Sequence, residues 1–313
     1  MVELEVVQER SVLDGGAALI TLKGVAAGPT LALLGGVHGD EDEGVLAVCR
    51  IVQELTSLPF VGTVRAVAPA NPAAWSSGSR TSPLDDGNLA RSFPGAGNEG
   101  PTPALAAGIT ASVIDGADVL IDLHSAGLNY RMPLFCGFTR ASVVADDSER
   151  AALAFGAPLI WAHAESPSGR SLSVAGERGI PAVYAECSGG GSIRRDELDA
   201  YVAGVLSVMA EFGMLPSPGR RRVPDPARWV YDGGGDLDSG TQSEHDGLFV
   251  SSTSAGAVVA AGEEIGRIYD YQGALLHVVR ASDEGMVMFL RRRARVRAGD
   301  VIFSLARLNA GKA

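Results

Sequence analysis

Apolar and polar residues alternate over positions 2–8 and again over 17–23, with Asp14-Gly15-Gly16 between the two runs. Period-two alternation on either side of a glycine turn predicts a β-hairpin at the start of the chain. An apolar stretch at 31–35 follows, and from about 43 to 55 the apolar positions fall at helical spacing, so that a strand feeds a helix. Residues 64–68 read as another strand and 104–114 as a helix. Two mainly apolar runs, one leading into His124 and one at 182–185, have the composition of strands buried on both faces. A last helix is predicted from about 194 to 212, where Leu198, Tyr201, Val202, Val205, Leu206, Met209 and Phe212 form one core-facing stripe. Strands alternating with helices imply an α/β fold, a mainly parallel or mixed sheet flanked by helices and closed by crossover connections.

The pattern changes after residue 215. Positions 216–226 combine proline, glycine and three arginines at 220–222, which is linker composition rather than core. From about Trp229 helical periodicity stops, and short strands separated by glycine turns take over at 247–250, 265–268, 275–279, 286–290 and 301–304. The expected organisation is a larger unit at 1–215, a linker at 216–228 and a small all-β unit at 229–313. In pattern the last unit resembles a lipoyl or biotinyl carrier sandwich, but its hairpin Asp283-Glu284-Gly285-Met286 offers no lysine for a prosthetic group.

The 313 residues are 46% hydrophobic and 20% charged, enough for a sizeable core in one or two such units. Acidic residues exceed basic ones, 37 against 26, for a formal charge of −11. A field of that sign disfavours nonspecific contact with nucleic acid or anionic membrane, and within it the arginine triplet reads as a solvated connector. The first residues lack a basic stretch followed by an apolar segment, and no apolar run approaches the thickness of a bilayer. Cys49, Cys136 and Cys187 are too scattered for a zinc ribbon or a disulfide framework. A cytoplasmic protein without nucleic-acid or membrane partners is expected, and composition leaves a homo-oligomer open.

Candidate chemistry starts at 35–44, Gly-Gly-Val-His38-Gly-Asp-Glu41-Asp-Glu-Gly, which places an imidazole and a carboxylate three positions apart where the strand ends and the helix begins. On a first helical turn such residues share a face and can grip one ion. A second imidazole, His124, stands at the carboxyl end of a buried strand, where open α/β sheets collect their ligands. His38, Glu41 and His124 match the His₂Glu set of a catalytic zinc, which keeps a position for water; a structural zinc closes with four ligands and commonly recruits cysteine. Each residue alone has a plainer reading, as a solvated pair, a first-turn acid facing the helix dipole or a hydrogen-bonded strand-end histidine. No phosphate-cradling glycine loop and no serine elbow stands at a strand-to-helix junction. His163, His245 and His277 stay without a role, although His163, close to Glu165, is a candidate neighbour of the site.

Five segments then follow one another in a particular order: Gly36-Val-His38-Gly-Asp-Glu41; Asn71-Pro72-Ala-Ala-Trp75 with Gly78-Ser-Arg80; Asp86-Gly-Asn88-Leu-Ala90-Arg91-Ser-Phe93-Pro-Gly95; Asp122-Leu-His124-Ser125; and Gly179-Ile-Pro181-Ala-Val-Tyr-Ala-Glu186 with Gly189-Gly-Gly191. In these the chain resembles the succinylglutamate desuccinylase and aspartoacylase family, a branch of the zinc carboxypeptidase-like amidohydrolases, over most of its first 215 residues. The resemblance implies a zinc carboxypeptidase-like mixed sheet and one zinc per chain on His38, Glu41 and His124. It also implies that Glu186, in the position of the family's catalytic glutamate, is base toward water and acid toward the departing amine. Arg80 is the candidate cation for the oxygen that gains charge during attack, a contribution on the order of 3 kcal/mol for a single donor. Arg91, with Asn88 nearby, is the candidate for holding a substrate α-carboxylate by two parallel hydrogen bonds. Many relatives read Asn-Arg where this chain has Ala90-Arg91, and the departure falls on substrate recognition. The C-terminal unit is expected to pack beside the cleft and narrow it.

The implied reaction is hydrolysis of the amide of a small N-acyl amino acid or related metabolite. A carboxypeptidase acting on peptides shares the same metal set. A catalytically silent zinc-binding module is a third reading, against which Glu186 argues, because binding alone requires no base.

Overall fold

The computed structural model describes residues 5–216, 228–233 and 240–309; the expected linker at 216–228, with its three arginines, lies almost wholly outside them. The N-terminal hairpin forms around the expected turn, with Gly15 and Gly16 both at positive φ, and its second strand β2 (Ala18–Lys23) lies where the alternation places it; its first strand β1 (Val7–Val12), paired antiparallel with β2, is displaced from the expected 2–8, because the pairing register sets it opposite Ala18–Lys23. β3 (Ala26–Gly35) feeds α1 (Asp42–Leu55), and β4 (Val61–Val67) feeds the short α2 (Pro72–Ser77). The helix expected at 104–114 is α3 (Pro101–Ile109) extended by a π turn over Thr110–Ile114, closed by the Asp115 amide donating to the Thr110 carbonyl at 2.8 Å. It leads to β5 (Val119–Leu123).

The sequence pattern assigns no element between 125 and 181, where the structure has β6 (Tyr130–Arg131), β7 (Phe135–Thr139), α4 (Ala145–Phe155), β8 (Leu159–His163) and α5 (Ser171–Glu177). β9 (Ala182–Glu186) and α6 (Arg195–Glu211) then follow as expected, and β10 (Arg228–Tyr231) comes next.

These strands make one mixed sheet in the order β1-β2-β4-β3-β5-β9-β7-β8-β10. β4, β3, β5 and β9 are mutually parallel, β7 runs antiparallel to β9, and β8 and β10 follow the direction of β7. β10, which the sequence places in the C-terminal unit, thus adds a parallel edge strand to the large sheet; backbone pairing, not composition, decides that assignment.

Side chains alternate across the sheet. Leu31, Leu33, Ile121, Leu123, Val183 and Ala185 face a core closed by α1, α4 and α6. Ala32, Leu34, Leu120 and Ala182 face the other way, toward α3 and α5. Cover on both faces explains why β5 is buried at every residue and why its sequence reads as a nearly unbroken apolar run.

The remaining strands are β11 (Thr241–Gln242), β12 (Gly247–Ser251), β13 (Val258–Val259), β14 (Glu264–Tyr269), β15 (Leu275–Arg280), β16 (Gly285–Arg291), β17 (Arg295–Val296) and β18 (Val301–Ala306). They form two antiparallel sheets, β11-β18-β16-β13 and β15-β14-β12-β17, around a core that includes Phe249, Ile265, Ile268, Val287 and Ile302. A second apolar cluster ties them to the large sheet: Met286, Met288 and Phe289 pack with Phe135, Leu159, Trp161 and Val230, while β6 pairs with β16. No described helix is long and apolar enough to cross a membrane.

α1 approaches β5 so closely that a Cβ at Gly44 would fall on the Leu123 carbonyl oxygen. Alanine there gains roughly 0.5–1 kcal/mol of helix propensity but forces the helix off the strand, and overpacking of this kind costs about 1–3 kcal/mol. Gly44→Ala is expected to lower the urea midpoint of unfolding; an unchanged or raised midpoint would contradict the packing.

Candidate active site

β3 ends at Gly35, and the chain turns through Gly36, at φ 71°, into a loop that carries His38 before α1 begins at Asp42. Glu41 is the N-cap, with φ −119° and ψ 75°, so His38 and Glu41 do not share a helical turn. The shared helical face expected for His38 and Glu41 is therefore absent, and the loop's own bend brings the side chains together. His38 Nδ1 lies 2.7 Å from Glu41 Oε1, and His124 Nδ1, just past the end of β5, lies 2.9 Å from Glu41 Oε2. β3 and β5 are parallel neighbours, so both imidazoles arrive at the same edge of the sheet.

All three side chains are buried, and one ligand atom from each lies within 4.8 Å of the others. Two imidazole nitrogens and a carboxylate converging in this way fit a divalent transition metal. The surroundings agree with that use. Asp122 Oδ1 is 3.1 Å from the far nitrogen of His124, while Asp122 Oδ2 accepts from Ser171 Oγ at 2.5 Å. The Ser125 amide donates to Glu41 Oε2 at 3.2 Å, and Ser125 Oγ donates to Glu43 Oε2 at 2.8 Å. Tyr201 on α6 donates its hydroxyl to the His124 carbonyl at 2.6 Å. Outer contacts of this type fix the ring orientation and tautomer of metal-binding histidines.

The electrostatics follow from burial and these contacts. Burial, helped by the Arg80 cation, brings the His38 imidazole down to a pKa of about 4, so it stays neutral and able to ligate. Burial opposes charge on His124 as well, but the Asp122 and Glu41 carboxylates outweigh it and raise its pKa well above the ordinary histidine value. Burial would likewise raise Glu41, yet the two imidazoles hold its carboxyl well below the usual range. Two carboxylates flanking His124 thus favour positive charge at the point where the three ligands meet.

Beside the trio lies a cavity of about 430 Å³ lined by His38, His124, Arg80, Arg91 and Glu186, among others, a volume suited to a small metabolite. Glu186 ends β9, and its Oε2 is buried without a hydrogen-bond partner among the described residues. Burial, then the nearby Glu41 charge, pushes its carboxyl well above the ordinary range, while His124 and Arg80 pull the other way. Arg80 follows the left-handed Gly78 that ends α2 and places Nη1 3.2 Å from Glu41 Oε1. Arg91 belongs to a short 3₁₀ turn, Leu89–Arg91. Asn88, which the resemblance sets beside the substrate, caps that turn instead: its Oδ1 accepts from the Ala90 amide at 3.0 Å, and it is not among the cavity-lining residues.

Nothing in the sequence pattern sets Asp122 against His124 or brings Ser171, Tyr201 and Glu43 to the site; the folded chain does. Only the Asp-Leu-His spelling of β5 hinted at the first, since residues two apart on a strand share a face. The fold likewise brings in Tyr184, whose hydroxyl lies 2.7 Å from His163 Nε2. Tyr184 reaches His163 by crossing β7 at Gly137, where a Cβ would strike the tyrosine ring. Both rings line the cavity, with Phe289 from β16. His245 and His277 lie apart from it, their ring centroids 5.8 Å from each other.

Comparison with known proteins places this geometry. The catalytic-domain model of the succinylglutamate desuccinylase/aspartoacylase family matches residues 27–212. The N-alpha-acetyl-L-2,4-diaminobutyric acid deacetylase of Halomonas elongata is 34% identical over 302 residues, covering 93% of this chain and 86% of its own length. Among solved structures, a succinylglutamate desuccinylase from Silicibacter sp. TM1040 superposes with a TM-score of 0.84 at 26% identity, covering 97% of this chain and 94% of its own. The product-bound ectoine utilization protein EutE (DoeB) from Ruegeria pomeroyi does so with a TM-score of 0.84 at 27% identity, covering 96% and 94%.

The Tyr201 hydroxyl is the support of the His124 main chain that is easiest to isolate. Tyr201→Phe leaves the ring in place and removes one buried donor from the His124 carbonyl, a loss of about 1–3 kcal/mol. Urea unfolding should report that decrease; unaltered stability would mean the contact contributes nothing.

Proposed function

The chain belongs to the succinylglutamate desuccinylase/aspartoacylase family of amide hydrolases, and from that premise we propose that it removes a short acyl group from the α-nitrogen of a small amino acid, using one zinc ion held by His38, Glu41 and His124. The observation that carries the reading is the buried carboxylate of Glu41, each of whose oxygens meets one imidazole Nδ1 at the edge of a metabolite-sized cavity. Bound there, zinc supplies Lewis acidity and brings the pKa of a water molecule down to about 7.

The chain's own residues do the rest. Glu186 takes a proton from the attacking water and delivers it to the nitrogen that leaves, so that amide and water become carboxylate and amine. Its orphan Oε2 and its raised affinity for a proton suit both halves of that transfer. Arg80 offers N–H donors to the oxygen on which charge accumulates. Arg91 grips the α-carboxylate of the amino acid, and Asn88 acts by holding the turn that carries Arg91.

Residues 1–215 form the catalytic unit in this reading, and 229–313 wall the cavity through Phe289. The identity with a deacetylase of N-alpha-acetyl-2,4-diaminobutyric acid supports acetyl as the acyl group and a diamino acid as its carrier. Three free thiols, at Cys49, Cys136 and Cys187, and the net charge of −11 support a cytoplasmic enzyme without nucleic-acid partners.

A deacylation screen across acetyl, succinyl and formyl amino acids is expected to find turnover that chelation abolishes and added zinc restores. Glu186→Gln should retain one zinc per chain by elemental analysis while kcat/KM falls about 10²–10⁴-fold. Full activity in that variant would remove the proton-transfer role, and turnover indifferent to chelation would remove the metal.

A further inference from the structure

Among the described residues four carboxylates line the cavity, those of Asp122, Glu165, Glu186 and Asp232. Three are committed. Asp122 holds His124 and Ser171, Glu186 stands beside the metal ligands, and Asp232 is gripped by Arg140 Nη2 at 2.9 and 3.0 Å through its two oxygens. Glu165 differs: among the described residues it has neither a hydrogen bond nor an ion pair through its carboxylate, and it is exposed. We infer that Glu165 is a specificity-determining residue that receives an ammonium group on the side chain of the acylated amino acid. This inference rests on the deacylase reading and adds to it the sign and place of the second charged group.

The position of Glu165 supports the role. It lies on the loop after β8, of which Ala164, Glu165, Ser166, Pro167 and Arg170 all line the cavity. The loop is anchored at its far end, where the Gly169 carbonyl accepts from the Phe93 amide at 3.0 Å. A Cβ at Gly169, whose φ is 88°, would collide with the Arg91 main chain. Glu165 and Arg91 therefore sit on two segments that pack against each other around one cavity.

The sheet register sets the span. Glu186 pairs with Phe135, four residues along β7 from Thr139, which pairs with His163 at the end of β8. At about 3.3 Å per residue and 4.8 Å per strand, the start of the Glu165 loop is roughly 16 Å from the Glu186 backbone. The cavity that both glutamates line therefore has room between them for a short substrate. An acidic end so far from Glu186 suits a substituent of the substrate, not its scissile amide. The Tyr184 and Phe289 rings also line the cavity, and aromatic rings favour an ammonium group over a carboxylate.

The test compares kcat/KM of the zinc-loaded full chain for three substrates: Nα-acetyl-2,4-diaminobutyrate, Nα-acetylnorvaline, in which a methyl group replaces the ammonium at equal length, and Nα-acetylglutamate. The wild-type chain is expected to favour the cationic substrate over norvaline by about tenfold or more. Glu165→Gln should bring that ratio close to one, Glu165→Asp should keep part of it, and Glu165→Lys should shift preference toward acetylglutamate. A wild-type chain without preference for the cation, or a Glu165→Gln variant with the original ratio, overturns the assignment while leaving deacylation intact. Absence of turnover on all three and throughout the acyl screen overturns the deacylase reading, and this inference with it.

Discussion

The site depends on a single buried carboxylate. Glu41 shares its two oxygens between the Nδ1 atoms of His38 and His124, and it also takes the Ser125 amide and Arg80. Removing one partner from a buried charge pair costs about 3–5 kcal/mol, because the remaining charge has no water to turn to. The protein is built to keep every one of these partners in place. α1 can bring Glu41 to the end of β5 only because Gly44 has no side chain, and α6 holds the His124 main chain through Tyr201.

The mixed direction of the sheet turns that point into a cavity. In an all-parallel sheet the functional residues gather at one edge, beyond the strand ends. Here β9 brings Glu186 to that edge, but its neighbour β7 runs back, and β7 and β8 end at Thr139 and His163 lower on the same face. Cavity-lining side chains therefore spread across the face of the sheet rather than along its rim. Gly137 completes the arrangement by letting the Tyr184 ring cross β7 to reach His163.

The C-terminal strands take part in shaping the cavity. Their apolar seam with the large sheet, Met286, Met288 and Phe289 against Phe135, Trp161 and Val230, is core-like packing that fixes their placement. Phe289 is both a member of that seam and a wall of the cavity.

Much of this was legible in the residues. The glycine turn and the alternation at 17–23 located the hairpin's turn and its second strand, the helical stripe from Leu198 to Met209 located α6, and the apolar runs before His124 and Glu186 located β5 and β9, because burial on both faces writes itself into composition. The segment from 125 to 181 was not legible: α4 buries only small or single apolar residues such as Ala151, Ala152 and Phe155, and β7 and β8 span five residues each. Five apolar residues do not by themselves separate strand from helix; β5 and β9, of the same length, were legible because each leads into a motif that marks its end, His124-Ser125 and Glu186, and β7 and β8 have no such mark. The donor types at His38, Glu41, His124 and Glu186 are a property of the sequence alone, since chemistry belongs to the side chain. That His38 and Glu41 meet through a loop instead of a helical turn, that Asn88 caps a turn instead of facing the cavity, and that β10 joins the large sheet were decided only by the folded chain. Such outcomes rest on hydrogen bonds and packing between residues far apart in sequence, which no local pattern encodes.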